Sequence, residues 1–324
     1  MRLFKRIACS LTLGLGLVLP AAAQDAFPAP GKPIRLIIPF AAGSGTDNSA
    51  RYFIQRVSQR TGWNFVIDNK PGGNSFIGLA ELLRAPADGY TLVYTGGTTH
   101  GVNSALFKKL PYDPIEDFIP VTPAAFSPMV LLAKPALKLN TAGELVDLVK
   151  KNPGKFSAAT GSNFQVLAAE LFKHQAGLQF ETVAYKGSAQ SMTDLIGGHV
   201  DFTFVDAGAA MPQVKAGTLK PLAITAARRL AALPQAPTMT EAGLPDIQLN
   251  GWAALFVKKG TPVPAVDTLR KAFSSYFESP EYRQYISETG GYHETLNQEQ
   301  LTAYIRNEIA RAQDTFRRAG IQPE

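Results

Sequence analysis

From Lys32 onward the chain alternates short β-rich runs with segments of helical periodicity, and this alternation limits the folds open to it. Ile34 to Pro39 reads as an apolar strand ending in a Gly-rich turn. Ala50, Phe53, Ile54 and Val57 then fall at i, i+3, i+4 and i+7, one face of a 3.6-residue period. Phe65-Val66-Ile67 reads as a strand, Ile77 to Leu83 as a helix and Thr91 to Tyr94 as a strand. A βαβαβ order predicts an α/β fold, a parallel sheet with helices on its faces.

A Pro-rich stretch from Leu110 to Pro128 interrupts the rhythm, and Met129 to Ala133 opens a second α/β series. Thr141 and Glu144 form a capping box for a helix running to Lys150. Strands are expected near Phe156 to Ala159, Thr182 to Ala184, Val200 to Phe204 and Leu222 to Thr225. Helices near Val166 to His174, Ala189 to Ile196 and Met211 to Lys215 lie between them, and the tail from Pro264 is mainly helical. Two lobes suit the length better than one sheet. The hinge passages are expected near Ala124 to Ser127 and Ala223 to Ala226. Residues 24–124 with 226–324 would then form lobe 1, and 125–225 lobe 2.

The first residues assign a compartment. Arg2, Lys5 and Arg6 precede an apolar run from Ile7 to Leu19, and Ala21-Ala22-Ala23 precedes Gln24. This is the charged start, apolar core and small-residue cleavage site of a secretory signal peptide, residues 1–23, predicting a periplasmic protein cleaved after about Ala23. The run is short of the roughly 20 apolar residues of a membrane span. The single cysteine, Cys9, falls inside the leader, so the mature chain lacks disulfides, cysteine nucleophiles and cysteine-ligated zinc. The net charge of +6 includes three leader cations. A mature value of about +3 with no charge block gives nucleic-acid binding no support and favours an anionic ligand slightly.

Ligands of open parallel sheets sit beyond the carboxyl ends of strands, where loops meet helix N-termini. After the first strand comes Phe40-Ala41-Ala42-Gly43-Ser44-Gly45-Thr46-Asp47. Its glycines permit close backbone approach, and the following helix start favours an anion. Asp47 either caps that helix or meets the ligand. Gly97-Thr98-Thr99-His100 follows the third strand and is rich in donors; His100 either donates to a carboxylate oxygen or has a structural place. In the second half, Thr160-Gly161-Ser162-Asn163, Tyr185-Lys186-Gly187-Ser188 and Asp206 occupy equivalent positions. A ligand carboxylate beside Asp206 would be repelled unless a hydroxyl, amine, protonated acid or water intervenes.

Enzyme motifs are missing. Gly43-Ser44-Gly45 lacks the third glycine of a dinucleotide fingerprint, and neither a Walker lysine nor a G-x-S-x-G elbow occurs. The histidines have no i, i+4 pairing for a metal; His174, His199 and His293 read as surface residues. No cofactor, metal or catalytic residue is expected. A hydrolase using Ser44 with His100 is the rival from another class.

Lys32-Pro33-Ile34-Arg35-Leu36-Ile37-Ile38-Pro39-Phe40 and the loop after it resemble the opening of the tripartite tricarboxylate transporter substrate-binding proteins, also called the Bug family. The likeness continues through Asp68-Asn69-Lys70-Pro71-Gly72-Gly73, Ala87-Asp88-Gly89-Tyr90-Thr91-Leu92, Leu110-Pro111-Tyr112-Asp113-Pro114, Tyr185-Lys186-Gly187-Ser188, Lys215-Ala216-Gly217 and Glu241-Ala242-Gly243-Leu244-Pro245. The resemblance implies a type II periplasmic-binding-protein fold with two lobes, a central cleft and two hinge crossings. It implies a small carboxylate ligand, held by the loops above, and a two-component membrane permease as partner, the receptor itself being a monomer. Docking on a sensor kinase is the alternative output. The chain departs from the family at Asn163-Phe164-Gln165-Val166-Leu167, where relatives carry a Ser-rich run ending in His. Phe164 therefore either stacks on an aromatic ligand or turns into the lobe core.

Overall fold

The computed structural model describes residues 27–245, 247–318 and 320–324; the leader expected at 1–23 lies outside the described residues. β1 (Ile34–Ile38) buries four of its five side chains, and the fifth, Arg35, is held by Asp68 and Glu81 at 2.5 and 2.9 Å. α1 (Gly45–Thr61) starts on the Ser44 N-cap and stops at Gly62, whose φ of 74° closes the helix in the left-handed region. It buries Ala50, Phe53, Ile54 and Val57, the face its periodicity predicts. β2 (Phe65–Asn69), α2 (Phe76–Arg84) and β3 (Thr91–Gly96) complete the expected βαβαβ unit, followed by a π-helical turn at Thr98–Val102 and the short α3 (Asn103–Leu106).

The next element departs from expectation. β4 (Phe118–Ala133) runs for 16 residues through the stretch expected to interrupt the rhythm. Its register shifts between Pro120 and Thr122 and again between Pro123 and Ala125. A proline cannot donate to a ladder, so a central strand accommodates it only where bulges break the pairing. Beyond β4 come α4 (Ala142–Lys151), β5 (Ser157–Thr160), α5 (Asn163–Ala176), β6 (Glu181–Ala184), α6 (Ser188–Gly197), β7 (Phe202–Asp206), α7 (Ala207–Lys215) and β8 (Pro221–Ile224). β9 (Asn250–Lys258) has no counterpart in the sequence reading. α8 (Val263–Phe277), α9 (Pro280–Glu288) and α10 (Gln298–Arg318) form the helical tail.

All nine strands belong to one sheet ordered β2-β1-β3-β9-β4-β7-β5-β6, with β8 also on β4. β4 pairs with β9 up to Pro128 opposite Asn250, and from Met129 onward with β7. It is the first crossing between the lobes. On the return, Ala226, Leu233, Ala236, Met239, Ile247 and Leu249 pack on the second lobe's core before the chain re-enters at Asn250.

Side-chain alternation along the strands splits each lobe's core across the two faces of the sheet. In the first lobe Leu36 and Ile38 face α1 and α8, and Ile37 faces α2 with Leu79 and Leu82. In the second, Leu131 and Ala133 pack on α4 and α5, and Val130 and Leu132 on Met192 of α6 and Met211 of α7. α10 spans both lobes: Leu301 and Ile305 join the first core, Ala312 and Phe316 the second.

Candidate functional site

Strand directions bring the predicted loops together. β9 is antiparallel to both β3 and β4, so β3 and its parallel neighbour β1 run the same way as β4, toward the second lobe. β7 is antiparallel to β4, and β5 and β6 are parallel to β7 in turn, so these three run back toward the first lobe. The carboxyl ends of the parallel strands in the two halves therefore face each other across the crossing. The N-termini of α1, α5, α6 and α7 follow those ends, as does the π-helical turn. A topological switch of this kind is where α/β sheets bind ligands.

The loop from Phe40 to Asp47 is braced from beneath. Asp47 accepts hydrogen bonds from the Gly43 N–H at 2.8 Å, the Asn69 amide at 3.0 Å and Arg51 Nε at 3.0 Å. Asn69 also donates to the Phe40 carbonyl at 3.2 Å. Burial alone would raise the Asp47 carboxyl; its bonds to Arg51, Gly43 and Asn69 outweigh that and hold it below the usual range. The N-cap is Ser44, whose Oγ accepts from the Asp47 N–H at 3.2 Å. Asp47, only 1% exposed, is thus a loop brace with no surface for a ligand. Ala41, Gly43 and Gly45 are exposed and Thr46 half-buried, and the N–H groups of Gly45 and Thr46 have no partner among the described residues. Free amides at a helix start, with the helix dipole behind them, are an anion site in waiting.

The second lobe presents a similar surface. Ser162 caps α5 by accepting from the Gln165 N–H at 3.3 Å. Gln165 accepts from the Gly161 N–H and donates to Ser188 Oγ at 2.7 Å, tying the loops after β5 and β6 to each other. Those loops touch so closely that a Cβ on Gly161 would stand 2.4 Å from the Gly187 carbonyl carbon and 2.6 Å from the Ser188 nitrogen. Gly161→Ala is expected to lower stability by about 1–3 kcal/mol and weaken ligand binding, because backbone cannot yield as a rotamer can. Urea unfolding with calorimetric titration checks this, with Gly143→Ala, which meets only ordinary contact at 3.8 Å, as the control. Thr160 is buried and turns its hydroxyl toward the Val183 carbonyl; Tyr185, half-buried, donates to Asp194 at 2.8 Å.

Three further expected ligand contacts point elsewhere. His100 is fully buried, its ring stacked on Phe256 at 4.1 Å and its Nδ1 2.9 Å from Thr99 Oγ1. Burial lowers its pKa to about 3, so it is a neutral core residue behind the loop. Thr99 is equally enclosed, bonded to Thr95, the Gly96 carbonyl and His100. Of the two readings of Phe164, the structure takes the core one: the residue is 5% exposed and its ring lies where a Cβ on Gly97 would meet it at 3.1 Å. Val102 and Ala105 from the first lobe share its cluster. Phe164 therefore turns its ring to protein. His293, expected on the surface, is half-buried with Nδ1 3.0 Å from the Ala124 carbonyl. Ser44 Oγ accepts from the Asp47 N–H and His100 Nδ1 lies against Thr99 Oγ1, with no hydrogen bond between Ser44 and His100 among the described residues.

Asp206 ends β7 opposite Met129 and begins α7 without its side chain capping the helix. The residue is exposed to water at the strand end. Partial desolvation by the protein around it raises its carboxyl pKa, against the opposing pull of its own backbone N–H.

A family model described as "Tripartite tricarboxylate transporter family receptor" matches residues 49–321. The chain belongs to this family. BugT of Bordetella pertussis is 30% identical over 309 residues, covering 94% of each chain. Rpa4515 of R. palustris, solved with adipate, is 31% identical with a TM-score of 0.87, over 91% of this chain and 99% of that one. MatC (Rpa3494) from Rhodopseudomonas palustris, with bound malate, is 27% identical with a TM-score of 0.82, over 88% and 99%.

In this TctC-family receptor the sequence reading missed four residues that shape the cleft. Asn103, fully buried, accepts from the Asn163 amide at 2.9 Å across the lobes and donates to the Asn74 carbonyl at 3.0 Å. Gln165 ties two loops, Gly251 makes room for the Asp206 carboxylate, and Trp252 backs the Gly97 turn. Gln165 alone had a sequence signal, inside the run that departs from the family. The others owe their roles to partners in distant parts of the chain.

Proposed function

We propose that this receptor captures a small organic carboxylate between its lobes in the periplasm and delivers it, as a monomer and without chemical change, to the permease subunits of a tripartite tricarboxylate-type transporter. The observation that carries the reading is the set of unpartnered helix-N-terminal amides facing one another across the crossing, Gly45 and Thr46 on one side and the starts of α5 and α7 on the other. Each half offers partial positive charge and hydrogen-bond donors to the same space, so an anion bound by one half attracts the other. Similarity to receptors solved with adipate and malate supports a carboxylate as that anion. The crossings at Pro128–Met129 and Leu249–Asn250 would absorb the closure, placing the lobe division near those residues. The loop from Ala41 to Thr46 serves as first anchor, and Gly161 to Asn163 with Asp206 close on the ligand.

Thermal melting of the mature protein against a panel of aliphatic and aromatic mono-, di- and tricarboxylates tests this. A cognate acid at a hundredfold excess over its dissociation constant is expected to add about 2.7 kcal/mol, a rise of several degrees in Tm. Flat melting curves across the whole panel would sink the carboxylate assignment.

A further inference from the structure

At the crossing between the lobes the Asp206 carboxylate has no side-chain partner among the described residues. Asp206 Oδ1 lies above Gly251 of β9, where a Cβ would come within 2.7 Å of it. Gly251 pairs with Ser127 of β4, and Met129 of β4 pairs with Asp206 itself, so the carboxylate sits over the two strands that join the lobes. Only a glycine at 251 leaves it that place. The side chain does not turn back to cap α7, and among the described residues it has no ion-pair or side-chain hydrogen-bond partner. The neighbouring residues of the packed elements are Ser127, Pro128 and Met129 on β4, Asn250, Gly251 and Trp252 on β9, and Ala207 and Gly208 on α7, none of them titratable. A carboxylate without a side-chain partner therefore stands at strand ends whose helix-start amides suit an anion.

We propose that Asp206 sets the specificity of this receptor by accepting a hydrogen bond from a hydroxyl or ammonium group on the ligand, so that the preferred ligand is an organic anion bearing such a donor rather than a plain dicarboxylate. The inference rests on the carboxylate-receptor reading and narrows it to one chemical class. An ionised carboxylate only accepts hydrogen bonds. In the open cleft water supplies the donors. Closure expels that water, and a ligand that returns no donor leaves the charge desolvated and unpaired. A ligand carboxylate at the same spot adds like-charge repulsion. A ligand hydroxyl or ammonium reverses both effects with a charge-assisted bond. Charged hydrogen bonds of this kind correspond to discrimination of about tenfold to a hundredfold in affinity.

Calorimetric titration at pH 8 with succinate, malate and aspartate, and with adipate and 2-hydroxyadipate, tests the proposal in the wild-type protein and in Asp206→Asn. The wild type is expected to bind the donor-bearing acid of a series at least about tenfold more tightly than the plain one. Asp206→Asn, close in shape and itself a donor through its amide, is expected to shrink that gap to within about threefold by improving the plain dicarboxylate. Gly251→Ala, which displaces the carboxylate without removing its charge, is expected to shrink the gap as well. Equal wild-type affinities for plain and donor-bearing acids would overturn the proposal whether or not either variant folds. So would a gap that survives unchanged in folded Asp206→Asn. Binding of a plain dicarboxylate as tight as that of its donor-bearing counterpart overturns this inference alone, whereas binding of no acid by the wild type overturns the receptor reading together with it.

Discussion

Replacing Phe164 with alanine is expected to lower the unfolding free energy by about 3–5 kcal/mol, the range for removing a buried aromatic ring. Phe164 is 5% exposed, and its ring packs on Gly97 while sharing a core with Val102 and Ala105 of one lobe and Leu167, Phe172 and Phe204 of the other. The cavity would open where the lobes already touch, beside the Asn163–Asn103 hydrogen bond of 2.9 Å. Both the chain's stability and the resting separation of its lobes are expected to depend on that ring. Urea unfolding gives the first, and small-angle scattering without ligand gives the second; Phe164→Ala is expected to be more expanded. Its relative affinity for aromatic and aliphatic acids is expected to match the wild type, since the ring faces protein. A loss confined to aromatic ligands, with stability intact, would return Phe164 to the ligand wall.

Acidification is expected to act nearly as strongly, through His100. Burial lowers its folded pKa to about 3, against 6.5 for the free side chain. The unfolded chain therefore binds a proton over a range in which the folded chain refuses it. The resulting stability is complete above pH 6.5, declines as pH falls below that value, and is exhausted near pH 3. Integrated over the window the contribution is about 4–5 kcal/mol, and about 2 kcal/mol has gone by pH 5, before most carboxylates titrate. Urea midpoints of the wild type and His100→Phe at pH 7.5, 6 and 5 check this. The variant starts lower, having lost the Thr99 contact, but its stability is expected to fall more gently with acid. Parallel slopes would mean that His100 is not held neutral in the core. His293 is lowered in the same direction by burial, and it is common to both proteins, so it cancels in the comparison.

Both effects arise at residues that the sequence presents as loop positions in a binding site. His100 and Phe164 do follow strand ends, and the position was read correctly. What could not be read was which way each side chain turns. The π-helical turn at Thr98–Val102 swings His100 beneath the loop onto Phe256, a residue 156 positions later. Phe164 is the second residue of α5, where a side chain can face the cleft or the body of the lobe, and the space left by Gly97 decides between them. The position of Asp47 after the glycine loop suits a cap or a ligand contact equally; it is a brace because Asn69 and Arg51 converge on it.

The alternation of periods, by contrast, was legible from the residues alone. Apolar spacing in α1 and the apolar run of β1 are local patterns, set by 3.6-residue and 2-residue geometry and by burial on one or two faces. The Ser162 cap, the Thr141–Glu144 pair and the Gly62 stop are likewise local, and they place the helix starts whose amides face the cleft. The prolines of β4 misled for the opposite reason. A proline is a poor strand residue unless the partner strand supplies bulges in register, and β9, which does so, lies more than a hundred residues downstream. The amino-acid sequence by itself thus determined the α/β alternation of the two halves and their helix starts, since each depends on neighbours within a few residues. Only the tertiary structure decided which side chains line the cleft, and that Asp206 remains there without a partner above Gly251. Burial and pairing are properties of strands brought together from distant parts of the chain, which no local pattern encodes.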